Sequence, residues 1–202
     1  MKNIRREFEI LVKEIFDRVF SFLFLLILSP LFLVVAAIIK LDSKGPIFFS
    51  QERVGKNGKI FKIIKFRSMK VGSETEIIVK EVVLDDPRIT RVGRIMRRFQ
   101  IDELPQLLNI LKRDMSFVGP RPTLPKQFEG QMEEAKKRFL MKPGLTGLAQ
   151  VNGNKQLSWS ERIKYDKYYV ENFSILLDLK ILFKTFLIVI FGEEEFKGET
   201  LK

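Results

Sequence analysis

The chain contains no cysteine and no histidine. Without cysteine there are no disulfides, no zinc–thiolate sites and no thiol nucleophile. Without histidine the commonest general base is missing, so any proton transfer or covalent catalysis falls to Asp, Glu, Lys, Tyr, Ser or Thr. Acids are also in short supply, 25 against 36 lysines and arginines, which leaves a formal charge of +11. Such an excess favours anionic partners: nucleic acid, acidic lipid or phosphorylated small molecules. The basic residues are not interleaved with aromatics as in single-strand binders, so nucleic acid is not expected as a partner. What the chain has in plenty is phenylalanine, 19 residues, and apolar plus cationic groups together suit a membrane surface. Its 202 residues suffice for one domain with a real core.

Residues 1–18 alternate charge with Ile4, Phe8, Leu11, Val12, Ile15 and Phe16, a helical period with one apolar face that predicts an interfacial helix. It runs into Val19–Ile39, which is free of charge and long enough to reach across a hydrocarbon layer of roughly 30 Å. Ser29-Pro30 lies at its middle, where proline removes one backbone donor and crowds the Leu26 carbonyl; a kink or break is expected there. Five cations precede the run (Lys2, Arg5, Arg6, Lys13, Arg18) and five come after it (Lys40, Lys44, Arg53, Lys56, Lys59). Neither flank therefore favours crossing. A helix-break-helix that returns to its own face and a kinked spanning helix both satisfy these residues.

After Gly45-Pro46 the apolar period drops to two. Lys56-Asn57-Gly58 predicts a hairpin between Ile47–Val54 and Lys59–Met69, in which Lys65 and Arg67 share a face. Residues 70–87 read as a polar surface excursion. Arg91, Arg94, Arg97 and Arg98 then recur at helical spacing and can direct guanidinium groups toward the acids at 102 and 103.

The centre of the chain is Ile101–Pro122. Asp102 and Glu103 precede Leu104, Leu107, Leu108 and Leu111, whose spacing predicts a short helix with that face buried and the acids at its N-terminus, supported by Pro105. A carboxylate there is a helix cap or a chemical group, and spacing alone does not choose. Downstream, Gly119-Pro120-Arg121-Pro122 holds an arginine in a stiff turn. Two acids and a rigid arginine suggest phosphate chemistry. Residues 129–139 predict a charged, exposed helix. Lys142–Gly153 is glycine-rich without being a P-loop or dinucleotide fingerprint, and it carries the amides of Gln150 and Asn152, groups that can read the edge of a base. Ile175–Phe191 is apolar but interrupted by Asp178, Lys180 and Lys184, which predicts a second interfacial helix.

The segment around Ser29-Pro30, Lys65-Phe66-Arg67-Ser68-Met69, Asp102-Glu103-Leu104-Pro105-Gln106, Asp114–Pro122 and Pro143-Gly144-Leu145-Thr146-Gly147 together resemble the bacterial sugar transferases, the monotopic polyprenyl-phosphate phosphoglycosyl transferases that include the small enzyme starting bacterial N-glycan assembly. The resemblance covers nearly the whole chain. It implies an α+β, mainly helical fold: a re-entrant membrane helix-break-helix and interfacial helix over residues 1–45, a catalytic domain with a small β-hairpin over 46–174 at the cytoplasmic face of the inner membrane, and an interfacial amphipathic helix over 175–192. It also implies transfer of a sugar 1-phosphate from a UDP-sugar to undecaprenyl phosphate with release of UMP and a requirement for Mg2+. By resemblance Asp102 is the nucleophile that becomes a phosphosugar-aspartate, and Glu103 assists with the metal or the proton. Lys65, Arg67, Arg97 and Arg121 would bind phosphate; Gln150 and Asn152 would contact uridine. Family members commonly carry arginine where Asn154 stands here, which leaves the contacts of that loop open. A homodimer is compatible with the sequence. The rival reading, a non-catalytic membrane scaffold of envelope polysaccharide assembly, explains the charge and the apolar segments but gives no reason for acids beside arginines.

Overall fold

The computed structural model describes residues 2–73, 86–129 and 133–191. It is mainly helical, with two small two-stranded sheets. The N-terminal charged and apolar runs form one helix, α1 (Lys2–Asp42). The break expected at Ser29-Pro30 does not interrupt it: α1 continues through Pro30. Pro30 has no amide hydrogen to offer the Leu26 carbonyl, and the Ser29 hydroxyl donates to that carbonyl instead, at 2.8 Å.

One stripe of α1 faces the rest of the protein: Ser21, Leu25, Leu28, Phe32, Val35 and Ile39, at steps of four and three. Phe22, Leu26, Ile27, Leu33 and Val34 remain exposed, an apolar surface far larger than a water-facing helix carries. Both ends of α1 are bonded to the body of the protein. Near the N-terminus Arg6 donates to the Val170 carbonyl at 2.6 Å, Lys13 pairs with Asp178 at 2.5 Å, Glu14 with Lys142 at 2.8 Å, and Asp17 accepts the Phe117 amide at 3.2 Å. At the other end the buried Arg67 guanidinium donates to the carbonyls of Ser43 and Lys44, each at 2.7 Å, and to that of Ile39 at 3.4 Å.

The expected hairpin forms between β1 (Phe48–Val54) and β2 (Ile60–Phe66), with Asn57 and Gly58 at the positive φ that its turn requires. Its register sets Phe49 opposite Lys65, Gln51 opposite Ile63 and Arg53 opposite Phe61. Next comes α2 (Arg91–Arg98), capped by Thr90, whose hydroxyl accepts the Gly93 amide at 2.9 Å. Gly93 lies so close to the end of β2 that a Cβ there would sit 2.0 Å from the Ser68 carbonyl oxygen. Most of the polar excursion expected over 70–87 falls on residues 74–85, outside the described residues.

The acid-bearing segment departs from its expected form. Residues Ile101–Gln106 make a 3₁₀ turn entered through Gln100 at φ +56°, and only Leu107–Leu111 is α-helical (α3). The tighter first turn rotates the buried face, so Pro105, Gln106, Leu107, Asn109 and Ile110 lie innermost while Leu104, Leu108 and Leu111 are partly exposed. Asn109 joins this segment to the free edge of β2, accepting from the Ile64 amide at 3.0 Å and donating to the Lys62 carbonyl at 2.8 Å.

Beyond it β3 (Ser116–Val118) pairs in parallel with β4 (Gly144–Thr146). Two short helices lie between them, α4 (Pro125–Glu129) and α5 (Glu133–Lys136). The exposed helix expected over 129–139 is therefore shorter, and Ala135, Arg138 and Phe139 are buried; residues 130–132 lie outside the described residues. Helices α6 (Leu148–Val151), α7 (Trp159–Glu171) and α8 (Ile175–Phe191) complete the fold. A single apolar cluster joins Phe61, Ile110, Phe117, Leu148, Tyr169 and Ile181 and is packed on by Phe20, Leu25 and Leu28 of α1. On α8 the outward positions Leu176, Leu179, Phe183, Phe186 and Ile190 are all exposed, an apolar face at helical spacing.

Candidate active site

Asp102 and Glu103 are adjacent in sequence but sit in different electrostatic settings. Glu103 accepts from Lys65 Nζ at 2.5 Å and lies 3.6 Å from Arg121 Nη2. Burial opposes its ionisation, yet Lys65 and Arg121 outweigh it and hold the carboxyl at about 2. Glu103 thus stays ionised across the physiological range, which suits an orienting charge better than a proton carrier. Asp102 is buried, and no ion pair reaches it among the described residues. Burial is the main cause that raises its pKa above the ordinary aspartate value, with Glu103 adding to it and Lys65 and Arg97 acting against. A carboxylate with raised basicity, undistracted by a salt bridge, is the better nucleophile of the two.

The cations reach the acids from separate elements. Lys65 comes from β2 and is fixed relative to the acids by the Asn109 amide pair. Arg97 comes from α2, where its Nε donates to Ser68 Oγ at 2.9 Å; burial lowers its pKa while Asp102 and Glu103 support its charge. Arg91 and Arg94, expected to point the same way, are exposed. Arg121 stands on its proline-flanked turn, held against residues 142–147 because Gly119, Gly144 and Gly147 permit close contact: a Cβ on Gly144 would lie 2.1 Å from the Gly119 nitrogen. These glycines bring two chain segments together.

A cleft of about 600 Å³ has Asp102, Glu103, Lys65, Arg97 and Arg121 on its walls, together with Leu145, Gln150 and the C-terminal residues Ile188–Phe191 of α8. One side is thus charged and the other is continuous with an exposed apolar helix. Two expected ligand residues are committed elsewhere. Arg67 also lines the cleft, but all four hydrogen bonds of its guanidinium go to residues 39–44 at the end of α1, as fits a cation at a helix C-terminus. Asn152 donates to the Leu148 carbonyl at 2.8 Å and accepts from Lys184 at 3.2 Å, so its amide serves α6 and α8. Gln150, in contrast, has both amide atoms buried and unbonded on the cleft wall. Asn154, at φ +40°, also lines the cleft.

By sequence Arg53 is no more than a flanking cation of the apolar run. In the fold it faces the cleft from β1, next to Gln51, which it bonds at 2.6 Å; burial and the neighbouring Arg121 lower its pKa to about 10 against the pull of Glu103. Its alternation with Phe49 and Gln51 is the signal that could have found it.

Paired acids ringed by arginine and lysine beside an exposed apolar helix define a protein built to handle anionic groups next to an apolar surface. Residues 8–192 match the family described as bacterial sugar transferase, and the chain belongs to that family. It is 40% identical over 187 residues to the exopolysaccharide production protein ExoY of Sinorhizobium fredii, covering 86% of this chain and 83% of that one. It is 42% identical over 201 residues to the undecaprenyl-phosphate glucose phosphotransferase of Komagataeibacter xylinus, and 40% identical over 183 residues to the UDP-glucose:undecaprenyl-phosphate glucose-1-phosphate transferase of Escherichia coli. Those two matches cover 94% and 87% of this chain but only 38% and 39% of the longer relatives. The chain is a sugar-phosphate transferase, and its first helix is long and apolar enough to cross a membrane.

Proposed function

We propose that the chain moves a sugar 1-phosphate from a UDP-sugar to undecaprenyl phosphate, with Asp102 carrying the group between them. A carboxylate oxygen of Asp102 attacks the sugar-bearing phosphorus, the bond from that phosphorus to the bridging oxygen breaks, and UMP leaves with the electron pair. A phosphate oxygen of the acceptor then attacks the same phosphorus and releases Asp102 as the free carboxylate. The observation that carries this reading is the buried Asp102, without an ion pair among the described residues, on the wall of a cleft that also presents Lys65, Arg97 and Arg121. Lys65 and Arg121, oriented by Glu103, offset the diphosphate charge as it shifts to the leaving oxygen. Asp102 and Glu103 also fit a Mg2+ ion, which binds one or two carboxylates and fills its remaining positions with water and substrate phosphate. Bound there, it would neutralise part of the diphosphate charge and ease departure of UMP.

The bonds at the two ends of α1 support a re-entrant membrane arrangement. A spanning helix would put residues 6–17 and 39–44 on opposite faces of the bilayer, yet both groups bond to the same body. A re-entrant α1 needs a bend, and Pro30, which removes one backbone bond without ending the helix, supplies the place for it. So bent, α1 would dip in and out of the cytoplasmic face of the inner membrane, satisfy both sets of bonds and leave its exposed apolar side to lipid.

Relatives named for glucose and galactose make UDP-glucose and UDP-galactose the first donors to test. Incubated with donor alone, the protein should gain the mass of one phosphosugar on Asp102. With Mg2+ and undecaprenyl phosphate it should give UMP and a lipid-soluble product, and Asp102→Asn should do neither. Product formation at wild-type rate by Asp102→Asn removes the nucleophile assignment.

A further inference from the structure

A second cavity of about 150 Å³ adjoins the catalytic cleft, and Arg53, Arg121, Gln150 and Asn154 line both. Beyond this shared wall the lining includes Trp159, Arg138 and Asp166. The construction is specific. Arg138 is buried and pairs with the buried Asp166 at 2.6 Å, donates to the Arg121 carbonyl at 2.9 Å, and places its guanidinium carbon 5.2 Å from the centre of the Trp159 ring. One side chain thus fixes both the turn that carries Arg121 and an aromatic ring. Trp159 is itself 38% exposed, so part of its ring is free for a ligand.

Gln150 also lines this cavity. Its Oε1 and Nε2 are both buried without a hydrogen-bond partner, an arrangement that is costly unless a ligand completes it. A primary amide offers one acceptor beside one donor, the complement of the imide edge of uracil, where N–H lies between two carbonyls. A flat ring to stack on, an amide to read an edge and an arginine bridge back toward the acids are the requirements of a nucleoside site.

We infer that this second cavity binds the nucleobase of the donor, with Trp159 stacking on the ring and Gln150 reading its edge. The inference rests on the proposed use of a UDP-sugar and adds the placement of its parts. The sugar-bearing phosphate lies at Asp102, the phosphate nearer the nucleoside passes Arg121 and Arg53, and uracil ends against Trp159. Trp159 and Gln150 are specificity determinants. Neither touches the reacting phosphorus.

Trp159 is the only tryptophan of the chain, so the protein reports on this site without alteration. Full-length protein in detergent or nanodiscs is titrated with UMP, with ribose 5-phosphate and with inorganic pyrophosphate while tryptophan emission is followed. UMP should change the emission saturably, with a midpoint equal to its inhibition constant in the transfer assay, and the two base-free compounds should leave it unchanged. Trp159→Ala should raise the UDP-sugar KM and the UMP inhibition constant roughly ten- to a hundredfold, leave pyrophosphate inhibition as it was, and be largely rescued by Trp159→Phe. If UMP competes with the donor but the emission does not move, the base lies elsewhere and the proposed reaction stands. If UMP neither binds nor inhibits, the donor class itself is wrong and both readings fall.

Discussion

Lys13 Nζ lies 2.5 Å from Asp178 Oδ2, joining the first helix to the last across the interior of the protein. Tyr169 donates to the other carboxylate oxygen at 2.7 Å and so locks α7 into the same junction. Both members of the pair are about nine-tenths buried. Removing one leaves a buried charge without its counterpart, so Lys13→Met or Asp178→Leu alone should cost about 3 to 5 kcal/mol, whereas the double replacement should recover most of the loss. Thermal unfolding in detergent, run on the two single variants and the double, measures the coupling.

The two acids predict opposite responses to pH. Glu103, held at about 2 against an ordinary 4.5, binds its proton more weakly in the folded state. Its contribution to stability is therefore complete above 4.5 and disappears as pH falls toward 2. The shift corresponds to something on the order of 3 kcal/mol. Glu103→Gln should lose this stability at neutral pH, and the gap to wild type should narrow between about pH 5 and about pH 3 in denaturant melts.

Asp102 is shifted the other way, principally by burial. Its ionised form is the proposed nucleophile, so kcat/KM should fall on the acid side with a midpoint above the ordinary aspartate value. Glu103→Gln removes a neighbouring negative charge and should move that midpoint down. Lys65→Met removes a positive one and should move it up. Rates of both variants will drop, but only the position of the acid limb decides the matter: two midpoints that coincide with wild type would show that Asp102 does not govern the limb.

Much of this site could be read from the residues. The hairpin announced itself through Asn57-Gly58, because few turns other than this one want two successive positive φ values. The adjacency of Asp102 to Glu103 and the rigidity of Arg121 are covalent facts, independent of packing. What escaped was set by partners distant in sequence. Arg67 shares the strand parity of Lys65, yet its guanidinium is captured by carbonyls 23 to 28 residues earlier. Arg138 looked like one charge on an exposed helix, since its partner Asp166 comes 28 residues later. Proline at position 30 signalled a kink or break; the helix continues through it, and the Ser29 hydroxyl takes the Leu26 carbonyl that proline leaves without a donor.

The topology of α1 can be tested with unusual economy, because the chain has no cysteine to mask. Glu7 and Lys44 are both exposed, one near each end of the apolar segment, and neither belongs to the proposed catalytic site. Cysteines placed singly at these two positions should react with a membrane-impermeant maleimide from the same side in inverted vesicles, and neither should react in right-side-out vesicles before lysis. Labelling from opposite sides would make α1 a spanning helix.

Arg67 and Arg121 separate a structural cation from one proposed to bind the donor. Arg67 closes the end of α1, and Gly45, at φ +131°, leaves it room: a Cβ there would fall 1.9 Å from Arg67 Nη1. Removing Arg67 strips residues 39–44 of the donors that hold them to β2, so Arg67→Met should lower thermal stability, while the folded fraction keeps a near wild-type KM for the UDP-sugar. Arg121 is 44% exposed on the cleft and 3.6 Å from Glu103, so its charge is available to a phosphate. Arg121→Met should leave the melting temperature nearly unchanged and raise KM for the donor by roughly tenfold or more, the loss of one charge-assisted contact. The two variants are thus distinguished by which quantity moves. If Arg67→Met raises KM at unchanged stability, its guanidinium must leave the end of α1 to meet the donor, and its role as a clamp on that helix is wrong.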